Sequence, residues 1–149
     1  MIKIINLGNQ KSAIELLKIL KENKYENLEI RLANTHITDL NKLLEKKIFK
    51  NGIVYTSASM LWEVMQPIGG RGKHNYHNLS PENVYEALST MRYSKDVALS
   101  YDNRYVIVTL ATTIGDISIA VIVTPIGTIN MARNKCITKV ITIYPYKKK

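Results

Sequence analysis

Apolar and polar positions follow a helical period early in the chain and a strand period late. Ile14, Leu17 and Leu20 recur at helical spacing among Lys18, Lys21 and Glu22, which predicts an amphipathic helix over residues 11–23. Ser12 and Glu15 have the spacing of a capping box at its start. Leu28, Ile30 and Leu32 alternate with Glu29 and Arg31, the period of a short strand. Thr38 can cap a second helix running to about Lys47, with Leu40, Leu43 and Leu44 inward. Residues 57–65 (SASMLWEVM) suit a third helix, stopped by Pro67 and the glycine pair that follows.

The centre of the chain changes character. Residues 68–74 (IGGRGKH) hold three glycines and no apolar period, so they read as a loop. Ser80-Pro81-Glu82 opens a helix on three counts: a capping hydroxyl, a proline at the first helical position, and an acid near the positive end of the dipole. Val84, Leu88 and Met91 continue its inward stripe with Ala87 alongside. From Arg104 onward the pattern is strand. Residues 105–110 (YVIVTL) and 117–123 (ISIAVIV) are rich in β-branched side chains, with Gly115-Asp116 joining them and Pro125 to Gly127 starting the next turn. A weaker segment at 128–133 and a last one at 139–144 complete a predicted four-stranded antiparallel meander. The expected fold is α+β, with N-terminal helices packed on a C-terminal four-stranded antiparallel β-sheet.

At 149 residues the chain is of single-domain size. Residues 1–55 form a helical part of unassigned role and 56–149 the remainder of the domain. Hydrophobic residues make up 46% and charged residues 22%, globular proportions that exclude a disordered tail. No stretch reaches the length needed to span a bilayer, and the opening MIKIINLGNQ lacks the features of a signal peptide. The formal charge is +9, and its distribution is uneven. Residues 1–50 carry ten basic and six acidic side chains, 51–100 four of each, and 101–149 seven and two. Such a chain favours polyanions or an acidic protein as partner. Cys136 is the single cysteine, so no internal disulfide or multi-cysteine zinc site is available. It reads as an ordinary cysteine of a reducing compartment.

Three histidines remain as candidates for proton chemistry. His36 stands in ANTHITD ahead of a predicted helix and suits a loop role. His74 and His77 lie in RGKHNYHNLSPE, between the glycine loop and a helix N-terminus, with Arg71 and Lys73 just upstream. An imidazole can take or give a proton near neutral pH. The adjacent cations, and the N-terminus at residues 80–83, could hold an anion. Metal binding competes for the same pair, but no third ligand lies close in sequence and the cations oppose a dication; no metal and no cofactor is expected. A pair of loop histidines that only cap or pack is an equal alternative. There is no nucleophile elbow, phosphate loop or dinucleotide fingerprint. The acids are scattered, which disfavours two-carboxylate and two-metal hydrolysis. Cleavage of RNA by its own 2′-hydroxyl fits what is left, needing a base, an acid and cations around phosphorus.

The run KHNYHNLSPENVYEAL, then RYVIVT, then a β-rich stretch ending in VITIYP resembles the barnase–EndoU–colicin–RelE-like superfamily. The resemblance is to its prophage- and polymorphic-toxin-associated branch and covers roughly residues 60–146. It implies a metal-independent RNase with helices on a four-stranded antiparallel sheet. By position, His77 or His74 would be the acid–base residue and Thr142 the last-strand hydroxyl at the scissile phosphate. Lys73, Arg71 and Arg104 would contact phosphate and Tyr144 would stack on a base. The function implied is an endoribonuclease toxin cutting tRNA or another cellular RNA in the bacterial cytoplasm. It would be held in check by an acidic immunity or antitoxin protein and delivered as part of a larger toxin or phage protein. The alternative is a non-catalytic RNA-binding or phage and host interaction module on the same fold.

Overall fold

A computed structural model describes residues 3–32, 36–49, 53–69, 75–94, 96–99, 106–109, 118–127 and 137–146. The fold is α+β. Strand β1 (Lys3–Asn6) leads into helix α1 (Gln10–Glu22) and strand β2 (Leu28–Leu32). A 3-10 turn (Ile37–Leu40) and helix α2 (Asn41–Leu44) precede strand β3 (Val54–Ser57) and helix α3 (Ala58–Met65). Helix α4 (Pro81–Thr90), a 3-10 turn (Met91–Tyr93) and strands β4 (Asp96–Leu99), β5 (Val106–Thr109), β6 (Ser118–Gly127) and β7 (Ile137–Tyr146) follow.

All seven strands join one sheet in the order β1-β2-β3-β7-β6-β5-β4. Strands β4 to β7 form an antiparallel meander, but the sheet as a whole is mixed. β1 runs parallel to β2 and β3 runs parallel to β7, whereas β2 and β3 are antiparallel. This corrects the expected four-stranded antiparallel sheet, and it also corrects the placement of helices ahead of strands. The first part of the chain contributes three strands interleaved with its helices. β1 holds two apolar residues (KIIN) and β3 reads VYTS, too short and mixed to show a strand period alone. Their pairing to distant strands decides their state. The predicted strand at 128–133 lies outside the described residues, and the first strand of the meander is instead β4. Pro125, expected to start a turn, lies within β6, and Pro145 lies within β7.

Local chemistry explains the helix ends. Asn9 caps α1, its Oδ1 accepting from Ser12 N at 3.1 Å and from Ser12 Oγ at 2.9 Å. The expected Ser12 cap is therefore one turn late. Gly8 sits at φ +85°, and a Cβ there would lie 2.6 Å from Ser12 Oγ, so the turn into α1 requires glycine. The predicted helix over 38–47 is shorter. Glu45 adopts a left-handed conformation and ends α2, while the Asn41 side chain draws residues 48 and 49 back over it. Ser57 caps α3 through its hydroxyl, which accepts from Met60 N.

One face of the sheet is the core. Ile30 and Leu32 of β2, Val54 of β3, Val106 and Val108 of β5, Val121 of β6, and Val140 and Ile143 of β7 are buried there with apolar residues of α1, α3 and α4. Alternate positions such as Arg31, Tyr55, Ser57 and Lys139 are exposed or half-buried and point to the other face. Among the described residues, no helix is long and apolar enough to cross a membrane.

Candidate functional site

The candidate site is built where β7 outruns β3. β3 pairs with only Thr138 to Val140 of β7. Beyond that point β7 carries a bulge: Ile122 of β6 faces Thr142 while Val123 faces Val140, leaving Ile141 as the extra residue. A bulge changes which face the following side chains take. Val140 and Ile143 both remain in the core, and Thr142 and Tyr144 therefore share the opposite face.

His77 is delivered to this end of β7 by a segment tied to α3. Asn78 N donates to Gln66 O at 2.8 Å, and Leu79 N donates to Val64 O at 3.1 Å. Leu79 is buried in the core. Tyr76 meets Trp62 of α3 edge-on, with ring centroids 5.6 Å apart and planes at 87°. Lys24 Nζ in turn lies 5.2 Å from the Trp62 ring centroid. Asn78 adopts φ 55°, turning the chain between the two anchors. His77 is thereby held on both sides, and its ring lies 6.4 Å from that of Tyr144, tilted by 48°.

Thr142 Oγ1 is shielded from solvent and has no hydrogen-bond partner. A shielded hydroxyl without a partner is uncommon in a folded protein and stands as an unused donor and acceptor. His77, Thr142 and Tyr144 are thus associated at one end of one strand: His77 and Tyr144 by ring contact, Tyr144 and Thr142 by sharing a strand face. The other sequence candidates, His74, Lys73, Arg71 and Arg104, lie outside the described residues. His36 is exposed at the head of the first 3-10 turn.

The N-terminus of α4 carries its own side-chain cap. Ser80 Oγ accepts from Asn83 N at 3.0 Å, and Asn83 Oδ1 accepts from Ser80 N at 3.1 Å. Val84 N donates to Ser80 O, and Pro81 has no N–H. A reciprocal capping box uses these donors internally. Its effect on the site is to fix the backbone three residues past His77.

Two groups escaped the sequence reading. Trp62 and Tyr76 brace the His77 segment; Tyr76 lies inside the HNYH motif, so the motif itself carried that signal. Glu29 and Lys139 form an ion pair of 2.9 Å on the face away from the helices, and nothing local in the sequence joins residues so distant. Among the described residues, no three His, Cys, Asp or Glu side chains are grouped to hold a metal ion. No protein-family model, curated protein or solved structure gives a significant match to this chain.

Proposed function

We propose that the chain is a metal-independent endoribonuclease of the toxin type, a member of the barnase–EndoU–colicin–RelE-like superfamily. The observation that carries the reading is the apposition of His77 to Tyr144, with the unpartnered Thr142 hydroxyl two residues away on the same face. In this reading His77 exchanges the proton of the 2′-hydroxyl or of the leaving 5′-oxygen. Thr142 donates to a phosphate oxygen, and Tyr144 packs on a nucleobase. Arg71, Lys73 and Arg104 supply positive charge to the phosphate, and His74 is the second proton-transfer group. The antiparallel meander β4 to β7 supports the reading, as does the net charge of +9. The substrate is tRNA or another cellular RNA in the bacterial cytoplasm, the chain arrives there as part of a larger toxin or phage protein, and an acidic immunity protein opposes it.

The test is cleavage of total RNA in EDTA, with products analysed for 2′,3′-cyclic phosphate ends. The parent chain should cleave and the His77→Ala chain should lose roughly 10²–10⁴-fold in rate. Undiminished cleavage by His77→Ala would remove the acid–base assignment. The shielding of Thr142 Oγ1 favours a second reading, an RNA-binding module without catalysis. That reading gives salt-sensitive RNA binding and no cleavage products.

A further inference from the structure

The face of the sheet that carries Thr142 and Tyr144 continues past β7 onto β3 and β2. Arg31 of β2 is paired with Tyr55 of β3, and Tyr55 with Lys139 of β7. Asn6 of β1 stands beside Arg31. Paired residues of neighbouring strands take the same face, so these four form one row across four strands. Their neighbours along the strands, Ile30, Leu32, Val54 and Val140, are buried under the helices, and the row is turned the other way. At about 3.3 Å per residue, Tyr144 lies roughly 15 Å along β7 from it. The row offers both cation and ring. Arg31 is exposed and has no ion-pair partner among the described residues. The Lys139 ammonium is held by the buried Glu29, so Arg31 is the cation of the row with charge to offer. Tyr55, half-buried, stands between the two. On a chain of net charge +9, an unpaired arginine beside a partly exposed ring suits a phosphate next to a stacked base, and a protein ring stacks on bases that are unpaired.

We infer that single-stranded RNA runs from the His77 end of β7 across this face onto β3 and β2, with a base stacked on Tyr55 and a phosphate held by Arg31. The occupant rests on the ribonuclease reading above, which places RNA at Tyr144 on the same face. The substrate class follows: an RNA that is unpaired beside the cut, rather than a duplex. The first part of the chain gains a role as well, since β2 and β3 lengthen the RNA track beyond the meander. Lys139 and Glu29 hold each other across β3, which keeps the lysine stem beside Tyr55 and leaves the phosphate to Arg31.

The test is binding, measured so that cleavage does not enter. A fluorescent single-stranded RNA of about twelve nucleotides is titrated into the His77→Ala chain and followed by anisotropy. In that background Tyr55→Leu should weaken binding roughly fivefold to a hundredfold, and Tyr55→Phe, which keeps the ring, should retain most of the affinity. Arg31→Gln should weaken binding and reduce the slope of log affinity against log salt by about 0.7. Lys18 is exposed on α1, on the helix side of the sheet, and Lys18→Gln removes the same charge there with a smaller effect. The same RNA annealed to its complement should bind less tightly. Circular dichroism checks that each variant is folded. The inference is overturned if Tyr55→Leu and Arg31→Gln bind as the His77→Ala chain does, if Arg31→Gln has no more effect than Lys18→Gln, or if duplex binds as tightly as single strand. Should the unaltered chain still cleave RNA in that event, the ribonuclease reading stands without the track. Binding that depends on Tyr55 and Arg31 in a chain that never cleaves supports the track and removes the catalysis.

Discussion

Lys139 Nζ lies 2.9 Å from Glu29 Oε1, tying the second strand of the sheet to the last. β3 runs between them, so the lysine side chain crosses a whole strand to reach its partner. The glutamate side chain is 7% exposed and the lysine 24%, and the second carboxylate oxygen of Glu29 has no hydrogen-bond partner. Removing one partner of a shielded pair leaves a charge that neither water nor protein satisfies. Lys139→Met should therefore lower the unfolding free energy by about 2–4 kcal/mol. Glu29→Leu together with Lys139→Met should recover most of that loss. Urea unfolding of the two single variants and the double variant checks this as a thermodynamic cycle.

Asn41 closes the segment that the sequence predicted as helix. Its Oδ1 accepts from Ile48 N at 3.0 Å and Phe49 N at 2.9 Å, and its Nδ2 donates to Phe49 O at 2.9 Å. These bonds return the chain toward β3 and seat the buried Phe49 ring in the core. Asn41→Ala leaves three backbone groups to find water or remain unpaired, a loss of about 2–3 kcal/mol. Asn41→Asp keeps the two acceptor bonds and should cost less. Unfolding midpoints of the two variants check the order.

Helices with complete local signals were legible, and elements specified by distant partners were not. α3 follows Ser57, the first residue of the segment expected to be helical, and α4 follows Ser80, as its capping hydroxyl and Pro81 foretold. In α4 the reciprocal bond, which Asn83 makes, is local as well. β1 and β4 are four-residue strands, and each gains its hydrogen bonds from a neighbour whose position no local pattern states. The parallel pairing of β3 with β7 joins Val54 to Thr138, far apart in the chain, so the extended sheet stayed hidden. At the site, the HNYH motif and the VITIYP strand were visible separately. The anchor of His77 depends on Gln66, Val64 and Trp62 of α3, and the facing of Thr142 depends on a bulge set by β6.

The His77 anchor yields a prediction that separates position from chemistry. Ser80→Ala removes the hydroxyl of the capping box and should cost about 1 kcal/mol. Leu79→Ala opens a cavity in the core and should cost about 2–5 kcal/mol. Both leave the imidazole in place chemically but loosen the backbone on its C-terminal side. If His77 acts as proposed, cleavage measured well below the unfolding transition should fall in each variant, more for Leu79→Ala. Tyr76→Leu loosens the other side, and Trp62, the single tryptophan of the chain, reports it directly. Its fluorescence should change in that variant even where the overall fold is unaltered.

Two shielded threonine hydroxyls without hydrogen-bond partners allow a comparison within one protein. Thr56 is fully buried on the core face of β3, and Thr142 stands on the opposite face of β7. A shielded hydroxyl with no partner costs desolvation free energy that valine, of similar shape, does not incur. Thr56→Val and Thr142→Val should each raise stability, by about 1 kcal/mol, the more so because valine favours strands. Their effects on RNA cleavage should differ. Thr56→Val leaves cleavage unchanged, since nothing places that hydroxyl near His77. Thr142→Val removes the proposed phosphate donor and should slow cleavage by at least tenfold, while Thr142→Ser restores it in part. A gain in stability coupled to a loss of activity marks a group kept for function at the expense of the fold. If both valine variants gain stability and both cleave as the parent does, Thr142 is a strand residue with no part in catalysis.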